Sequence, residues 1–260
     1  MKYTTFNGVT LPTYNPEHDL FADSIVPAEV SLPGRAPFDG WDADTAVSVG
    51  NTVSVRCVAS AASWTALDTT LDSLRALIGV RGSLVMTMED ASTRSRLARC
   101  ESVDIARTKD YNMWQPIDLS FRLYGEHWQG ASNSDVVTLS TTTTEPTINN
   151  GGNRDTSIVA ITVTPAGTTM TQCDIYNLTT GYGTHMRYTG NVSAGDSLVI
   201  DVGAATVYND GAEAYSGFSL ESGHVKDNWL ILAPGNNSIR IVIAGGTGGS
   251  ATFDFYDAWA

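Results

Sequence analysis

The sequence predicts a mainly β protein of two sheet-built modules in tandem. The first carries one amphipathic α-helix in a β-sandwich or barrel-like arrangement, and the second is a jelly-roll β-sandwich. Three observations carry that prediction. Apolar residues recur with a period of two, as in Ile117, Leu119, Phe121 and Leu123 or Ile239, Ile241 and Ile243, the spacing of a strand with one buried face. One stretch, Leu67, Leu71, Leu74 and Ile78, has the spacing of a helix stripe. Composition also shifts midway: residues 1–135 hold 11 Lys and Arg, 17 Asp and Glu and 8 glycines, whereas 136–260 hold 4, 11 and 16, the makeup of short strands joined by tight turns. A chain of 260 residues is also long for a single core. The expected division is 1–135, a linker at 136–153, and 154–260.

Residues 1–45 are rich in proline and aspartate, and Pro12, Pro16, Pro27, Pro33 and Pro37 allow brief strands but no long helix. Val47-Ser48-Val49 and Val53-Ser54-Val55 alternate around Gly50-Asn51, which predicts a hairpin. The helix follows over about 65–79. Thr65 and Asp68 resemble a capping box, Asp68 and Asp72 suit the positive end of the dipole, and Gly79 suits a left-handed end. Strands are expected at 83–88, 97–105 and 117–124, with a turn at Glu89-Asp90-Ala91-Ser92.

The Thr- and Asn-rich tract 131–153 lacks apolar periodicity and has the composition of a domain border. Nine strands are expected beyond it, near 157–164, 171–177, 185–189, 197–202, 205–208, 217–220, 229–232, 238–244 and 251–257. Turn signals such as Asn209-Asp210-Gly211 separate them, and no helix intervenes, hence the jelly roll. Pro234-Gly235-Asn236-Asn237 is read as a hairpin turn between Trp229–Leu232 and Ser238–Ile243, and Gly245–Gly249 as a second hairpin loop.

The net charge of −13 divides into −6 and −7 between the two parts, which argues against a nucleic-acid surface. Arg94, Arg96, Arg99 and Arg107 form the one basic cluster, read as a solvated strand face or a subunit contact. Cys57, Cys100 and Cys173 are too few and too scattered for a disulfide or zinc framework, and read as small buried hydrophobes in a reducing compartment. No signal-like run opens the chain and no segment reaches membrane-spanning length, so the expectation is a soluble protein made in a cytoplasm. The sequons at Asn177, Asn191 and Asn236 then read as turn chemistry.

Catalytic and metal signatures are missing. His18, His127, His185 and His224 have no second ligand at metal spacing, and Asp39, Asp42 and Asp44 lack the spacing of a calcium loop. There is no Gly-x-Ser-x-Gly elbow, and the glycines at 245–249 have no helix after them to hold phosphate. No cofactor is expected. Paired acids on a sandwich could hydrolyse glycosides, but sequence does not fix carboxylate separations. Tyr182, Tyr208, Tyr215 and Trp229 are candidate platforms for sugar rings; core burial competes for Tyr208 and Trp229, and Tyr182 between two glycines is the best placed for exposure.

The ending Trp229-Leu230-Ile231-Leu232-Ala233-Pro234-Gly235-Asn236-Asn237-Ser238-Ile239, followed by Phe253-Asp254-Phe255-Tyr256 and Trp259, resembles the last strands of distal tail proteins of long-tailed bacteriophages, a family that typically carries a Trp-x-Leu-x-Pro-Gly-x-Asn motif and an aromatic closing strand there. Asn150-Gly151-Gly152-Asn153 ahead of Ile158–Ile161 looks like the lead-in to that family's galectin-like C-terminal domain, and 1–135 is similar in layout to its ring domain. The resemblance implies a structural virion protein of the tail tip, assembled in the host cytoplasm into a hexameric ring between the tail tube protein and the tail-tip hub protein. It also implies a peripheral docking domain for receptor-binding proteins or host surface glycans. It implies no catalytic residue. Galectins read galactosides through His-x-Asn-Pro-Arg, and His185-Met186-Arg187 lacks the Asn and Pro, so lectin activity does not carry over. The alternative expectation is a carbohydrate-binding sandwich that contacts cell-surface glycans.

Overall fold

A computed structural model describes residues 2–12, 25–27, 51–105, 114–124, 127–140, 142–221 and 229–259. The chain falls into two units, Met1–Trp128 and Gln129–Ala260. Val47–Val49, the acids Asp39, Asp42 and Asp44, His18, His224 and Arg107 lie outside the described residues.

The N-terminal unit contains β1 (Lys2–Phe6), β2 (Val9–Thr10), β3 (Ile25–Pro27), β4 (Asn51–Ser60), α1 (Trp64–Arg75), β5 (Arg81–Thr87), β6 (Thr93–Ile105) and β7 (Trp114–Leu123). They pair antiparallel in the order β3-β4-β7-β6-β5-β1-β2. Asn7 and Gly8 both take positive φ, 48° and 78°, and make a two-residue hairpin from β1 to β2. The predicted alternation holds: Ile117, Leu119, Phe121 and Leu123 are all buried, together with Val53, Val55, Leu84, Met86 and the α1 residues Leu67, Leu71 and Leu74. The Phe6 and Phe121 rings meet at 4.8 Å.

The helix differs from expectation at both ends. Ser63 caps it by accepting the Ala66 N–H at 3.2 Å, so the start precedes Thr65 and no acid falls in the first turn. Past Arg75 the N–H groups of Leu77 and Ile78 reach carbonyls three residues back, and this tighter winding buries Leu77 while Ile78 turns outward. Gly79 is left-handed, as expected.

The C-terminal unit contains β8 (Trp128–Leu139, whose first residue precedes the division), β9 (Thr143–Thr144), β10 (Thr147–Asn150), β11 (Thr156–Pro165), β12 (Met170–Asn177), β13 (Thr184–Val192), β14 (Leu198–Asp201), β15 (Thr206–Asn209), β16 (Ala212–Glu213), β17 (Phe218–Leu220), β18 (Ile231–Leu232), β19 (Gly235–Ala244) and β20 (Gly249–Trp259). All nine strands expected from 157 to 257 form. The tract read as a border holds most of β8 together with β9 and β10. One sheet runs β16-β15-β14-β11-β20 with β18 also on β11, and the other runs β10-β19-β12-β13-β17 with β9 on β19. Apolar residues of both sheets, including Ile161, Ile175, Met186, Ile241, Phe253 and Phe255, pack between them.

Both expected C-terminal hairpins are corrected. β18 pairs with β11, whereas β19 pairs with β10 and β12, so the Pro234–Asn237 corner carries the chain from one sheet to the other. The glycine loop after β19 also crosses, because β20 pairs with β11. There Gly249, at φ 130°, leaves room for the Thr164 carbonyl, 2.1 Å from where a Cβ would sit. Turn residues that permit a reversal serve equally well for an arch between sheets. The Asp210-Gly211 hairpin from β15 to β16 is found as read.

The crossing is held by a buried amide. Asn237 Oδ1 accepts the Ala233 N–H at 2.8 Å, and its Nδ2 donates to the carbonyls of Ala233 and Gly235 at 2.9 and 3.0 Å. The three cysteines are free and buried. Burial, helped by the Asp118 and Asp174 carboxylates, pushes the Cys57 and Cys173 thiols up to about 12, leaving them unreactive.

Asn237→Ala, which leaves several corner peptide groups unpaired, is expected to cost about 2–4 kcal/mol in urea unfolding, whereas exposed Asn236→Ala costs less than about 0.5 kcal/mol. Equal midpoints for the two variants would contradict the corner role.

Candidate functional site

The most organised polar constellation lies on the second sheet of the C-terminal unit. Alternate residues of β12, β13 and β19 face the core: Cys173 and Ile175, Met186 and Tyr188, Ile239, Ile241 and Ile243. The period of two therefore turns Gln172, Asp174, Tyr176, His185, Arg187 and Arg240 to the opposite face. Strand register sets Asp174 beside Arg187, and Tyr176 beside both His185 and Arg240.

Asp174 is the hub. Its Oδ1 lies 2.7 Å from His185 Nε2 and 2.7 Å from Arg187 Nε, and its Oδ2 accepts from Gln172 Nε2 at 2.6 Å. An ionised carboxylate only accepts, so Nε2 of His185 carries a proton in this arrangement. The Tyr176 ring stacks on His185 at 4.0 Å. Arg187 continues the chain of charge to Glu221 at 3.5 Å, which also accepts from Ser219 at 2.9 Å. Arg240 pairs separately with Glu145 at 2.6 Å.

Only 3% of Asp174 and 8% of His185 is exposed. Burial pushes the Asp174 carboxyl up, but the hydrogen bonds from Gln172, His185 and Arg187 outweigh it and hold the group below the usual carboxylate range. Such a group is moved away from the range in which a carboxylate exchanges protons at neutral pH. The arrangement suits a rigid, prearranged recognition face. Among the described residues no three His, Cys, Asp or Glu side chains gather as a metal site would need.

The aromatic candidates go to different places. Tyr215 is 47% exposed in a short 3₁₀ turn, with its ring 5.9 Å from Phe218, and Trp229 stacks on the other partner side of that cluster at 4.8 Å from Phe218. Trp229 precedes β18 and packs partly against the core. Tyr208 points outward from β15 and is 37% exposed. Tyr182 is half-buried, and its hydroxyl donates to Asp155 at 2.6 Å, which pushes the phenol up. The structure thus joins Tyr215 and Trp229 through Phe218, which the sequence reading passed over. His185, read as a surface or capped histidine, is capped by Asp174.

The basic cluster divides between two faces of β6. Arg96 is buried and donates from Nε to the Tyr124 carbonyl at 3.2 Å, while Arg99 is exposed on the other face. Of the sequons, Asn177 has its amide buried and donating to the Ile231 carbonyl at 2.7 Å.

The Asp174 hub itself escaped the sequence reading. Its signal was present: an acid at the outward position of the apolar strand Gln172–Tyr176, with an Arg on the next strand. The register that joins them was not visible.

The family described as "Siphovirus-type tail component, C-terminal domain" matches residues 151–259. No curated protein sequence matches the chain. Among solved structures, the fold is similar to the SPP1 Dit (gp 19.1) protein, described as a paradigm of hub adsorption apparatus in Gram-positive infecting phages. The TM-score is 0.59 at 14% identity, over 80% of this chain and 79% of that one. The phage P2 baseplate in its activated conformation with Ca also matches, at 10% identity over 80% and 79%, but its TM-score of 0.37 is too low to support a shared fold.

The lowered pKa of Asp174 gives a signed expectation. A carboxyl held below its unfolded value near 4 stabilises the fold fully above about pH 4 and loses that contribution as pH falls through the folded value. Asp174→Asn is therefore expected to unfold at lower urea than the wild type at pH 7, with the gap closing below about pH 4. A gap that stays constant down to about pH 2.5 would rule out the ionised hub.

Proposed function

We infer that this chain, a siphovirus-type tail component, forms a ring in the phage tail tip, with the N-terminal unit building the ring and the C-terminal sandwich serving as a peripheral docking domain. The family match over 151–259 carries the reading. The resemblance drawn from the sequence, to distal tail proteins, is borne out by that match and by the fold likeness. The protein is a structural tail component.

The finer parts rest on physical compatibility. Long antiparallel strands give an extended, half-exposed sheet in the N-terminal unit, and repeated head-to-tail contacts between such surfaces close into rings when the rotation permits. The partners of such a ring are its own copies, here six, with the tail tube protein on one side and the tail-tip hub protein on the other, and the location is the virion. The hub at Asp174, saturated by three donors and held ionised, supports a non-enzymatic role. We divide the labour at 1–135 for the ring and 154–260 for docking.

Mass photometry and negative-stain imaging of the purified chain test the reading. The expected particle has the mass of six chains and peripheral lobes; a monomer persisting at tens of micromolar would sink it. A second reading, glycan contact by the C-terminal unit, draws on the exposed Tyr208 and Tyr215. It expects saturable binding to host wall polysaccharide that Tyr215→Ala weakens about tenfold. A flat isotherm for the wild type would remove it.

A further inference from the structure

Three arginines stand in one cross-strand row on the outer face of the N-terminal sheet. Arg81 of β5 lies opposite Arg99 of β6, and Arg99 lies opposite Arg122 of β7. All three are exposed. Like charges directly opposed across a ladder destabilise it. In the rows beyond, Ser102, Ser120 and Ser54 align, and Asp118 opposes Asp104 on one side but meets Arg56 on the other in an ion pair at 2.7 Å.

Compensation within the subunit is partial. Arg122 meets Glu101 at 2.6 Å, and the Arg81 guanidinium lies over the Tyr124 ring at 4.5 Å. Among the described residues no carboxylate pairs with Arg99. Arg99 instead borders an open depression of about 240 Å³ that it shares with Ile78, Gly79, Glu101 and Arg122. Ile78 on the same rim and Leu97, two residues before Arg99 on the same strand face, are each 51% exposed. Arginine beside tyrosine and exposed aliphatics is the composition of a protein interface, and a chain with net charge −13 lacks the broad basic field that nucleic acid needs.

We propose that the Arg81–Arg99–Arg122 row, with Ile78 and Leu97 at its margin, docks an acidic surface of a second copy of this chain. Charge complementarity selects that occupant: the chain has 28 acidic residues against 15 basic ones, so a neighbouring copy offers mostly negative surface. Two such rows cannot face each other without repulsion, so the row meets a different patch of the neighbour, and such a contact repeated head to tail closes a ring. The inference rests on the ring reading and gives it a surface.

The test compares wild type, Arg99→Glu and Arg81→Glu by mass photometry and by urea midpoint, from about 0.05 to 0.5 M salt. Assembled wild type that dissociates as salt rises is expected. Arg99→Glu should weaken association about tenfold or more, while its urea midpoint, compared at high salt and at a dilution where wild type is also dissociated, lies at or above that of wild type because a like-charge opposition is gone. Arg81→Glu should act in the same direction. Full assembly of both variants beside an assembled wild type overturns this inference and leaves the ring reading intact. A midpoint lowered in both variants under those dissociating conditions makes the row structural and also overturns it. So does duplex DNA binding by wild type that Arg99→Glu abolishes without changing assembly. Wild type that is monomeric throughout overturns both readings.

Discussion

A chain that leaves one sheet of a sandwich for the other must pass peptide groups through a buried corner, where no ladder partner waits. Each such group left unpaired costs about 1–3 kcal/mol, so the corner needs donors and acceptors from side chains. In the C-terminal unit asparagine supplies both. Asn237 serves the passage from β18 to β19, and Asn177 reaches the same corner from β12 through the Ile231 carbonyl while accepting the Thr179 N–H. Asn150 does the equivalent before β11, donating to the Arg154 carbonyl at 2.7 Å and accepting the Gly152 N–H at 3.0 Å. Asp257 closes that lead-in against β20 by accepting from Gly151. These contacts place β11 and β19 in different sheets, and everything displayed on those strands inherits its position from them.

This explains what could and could not be read from the sequence. Period two marks which residues of a strand are buried, and Ile239, Ile241, Ile243, Phe253 and Phe255 are buried as that rule demands. Periodicity says nothing of which strand lies alongside. Pro234-Gly235 supplies the backbone freedom for a sharp change of direction, and that freedom fits a hairpin and an arch alike, so the pairing of β18 with β11 was out of reach. The asparagines were legible as turn formers, and Asn237 and Asn150 do bond within four residues, but the clamp that Asn177 makes on Ile231 spans 54 residues and has no local signal. Short strands in the Thr-rich tract, β9 and β10, escaped because only Ile148 is a large buried residue there. Asn7-Gly8, by contrast, was a plain local signal for a two-residue hairpin, and the reading of 1–45 as loop-heavy passed over it.

The polar hub at Asp174 illustrates the same limit at the level of chemistry. Gln172, Asp174, His185 and Arg187 are all ordinary strand-surface residues in sequence, and only register turns them into a saturated carboxylate cluster. With three donors on two oxygens, a shift of β13 by one residue would turn His185 and Arg187 toward the core and leave the carboxylate uncompensated. The cluster therefore works against slippage between β12 and β13, and that register also aligns the outward-facing polar groups from Arg240 to Glu221. The docking role proposed for this unit would benefit from such fixed spacing, since a surface already ordered loses less entropy when a partner arrives.

The arginine row of the N-terminal sheet is the counter-case. The Asp174 cluster satisfies every charge within the subunit, whereas the row sets like charges opposite one another and leaves Arg99 facing an open depression. A sequence selected only for the stability of one subunit would relieve that opposition with a single neutral residue, as the serine row alongside it does. Elsewhere on the sheet the Ile117–Leu123 alternation is buried and the opposed Asp104 and Asp118 have Arg56 beside them in an ion pair with Asp118, and that contrast makes the uncompensated Arg99 informative. On the assembly proposed above, the unbalanced row would acquire its counter-charge from outside the subunit. Its cost in the isolated chain is then the same electrostatic free energy that makes the contact selective for an acidic neighbour.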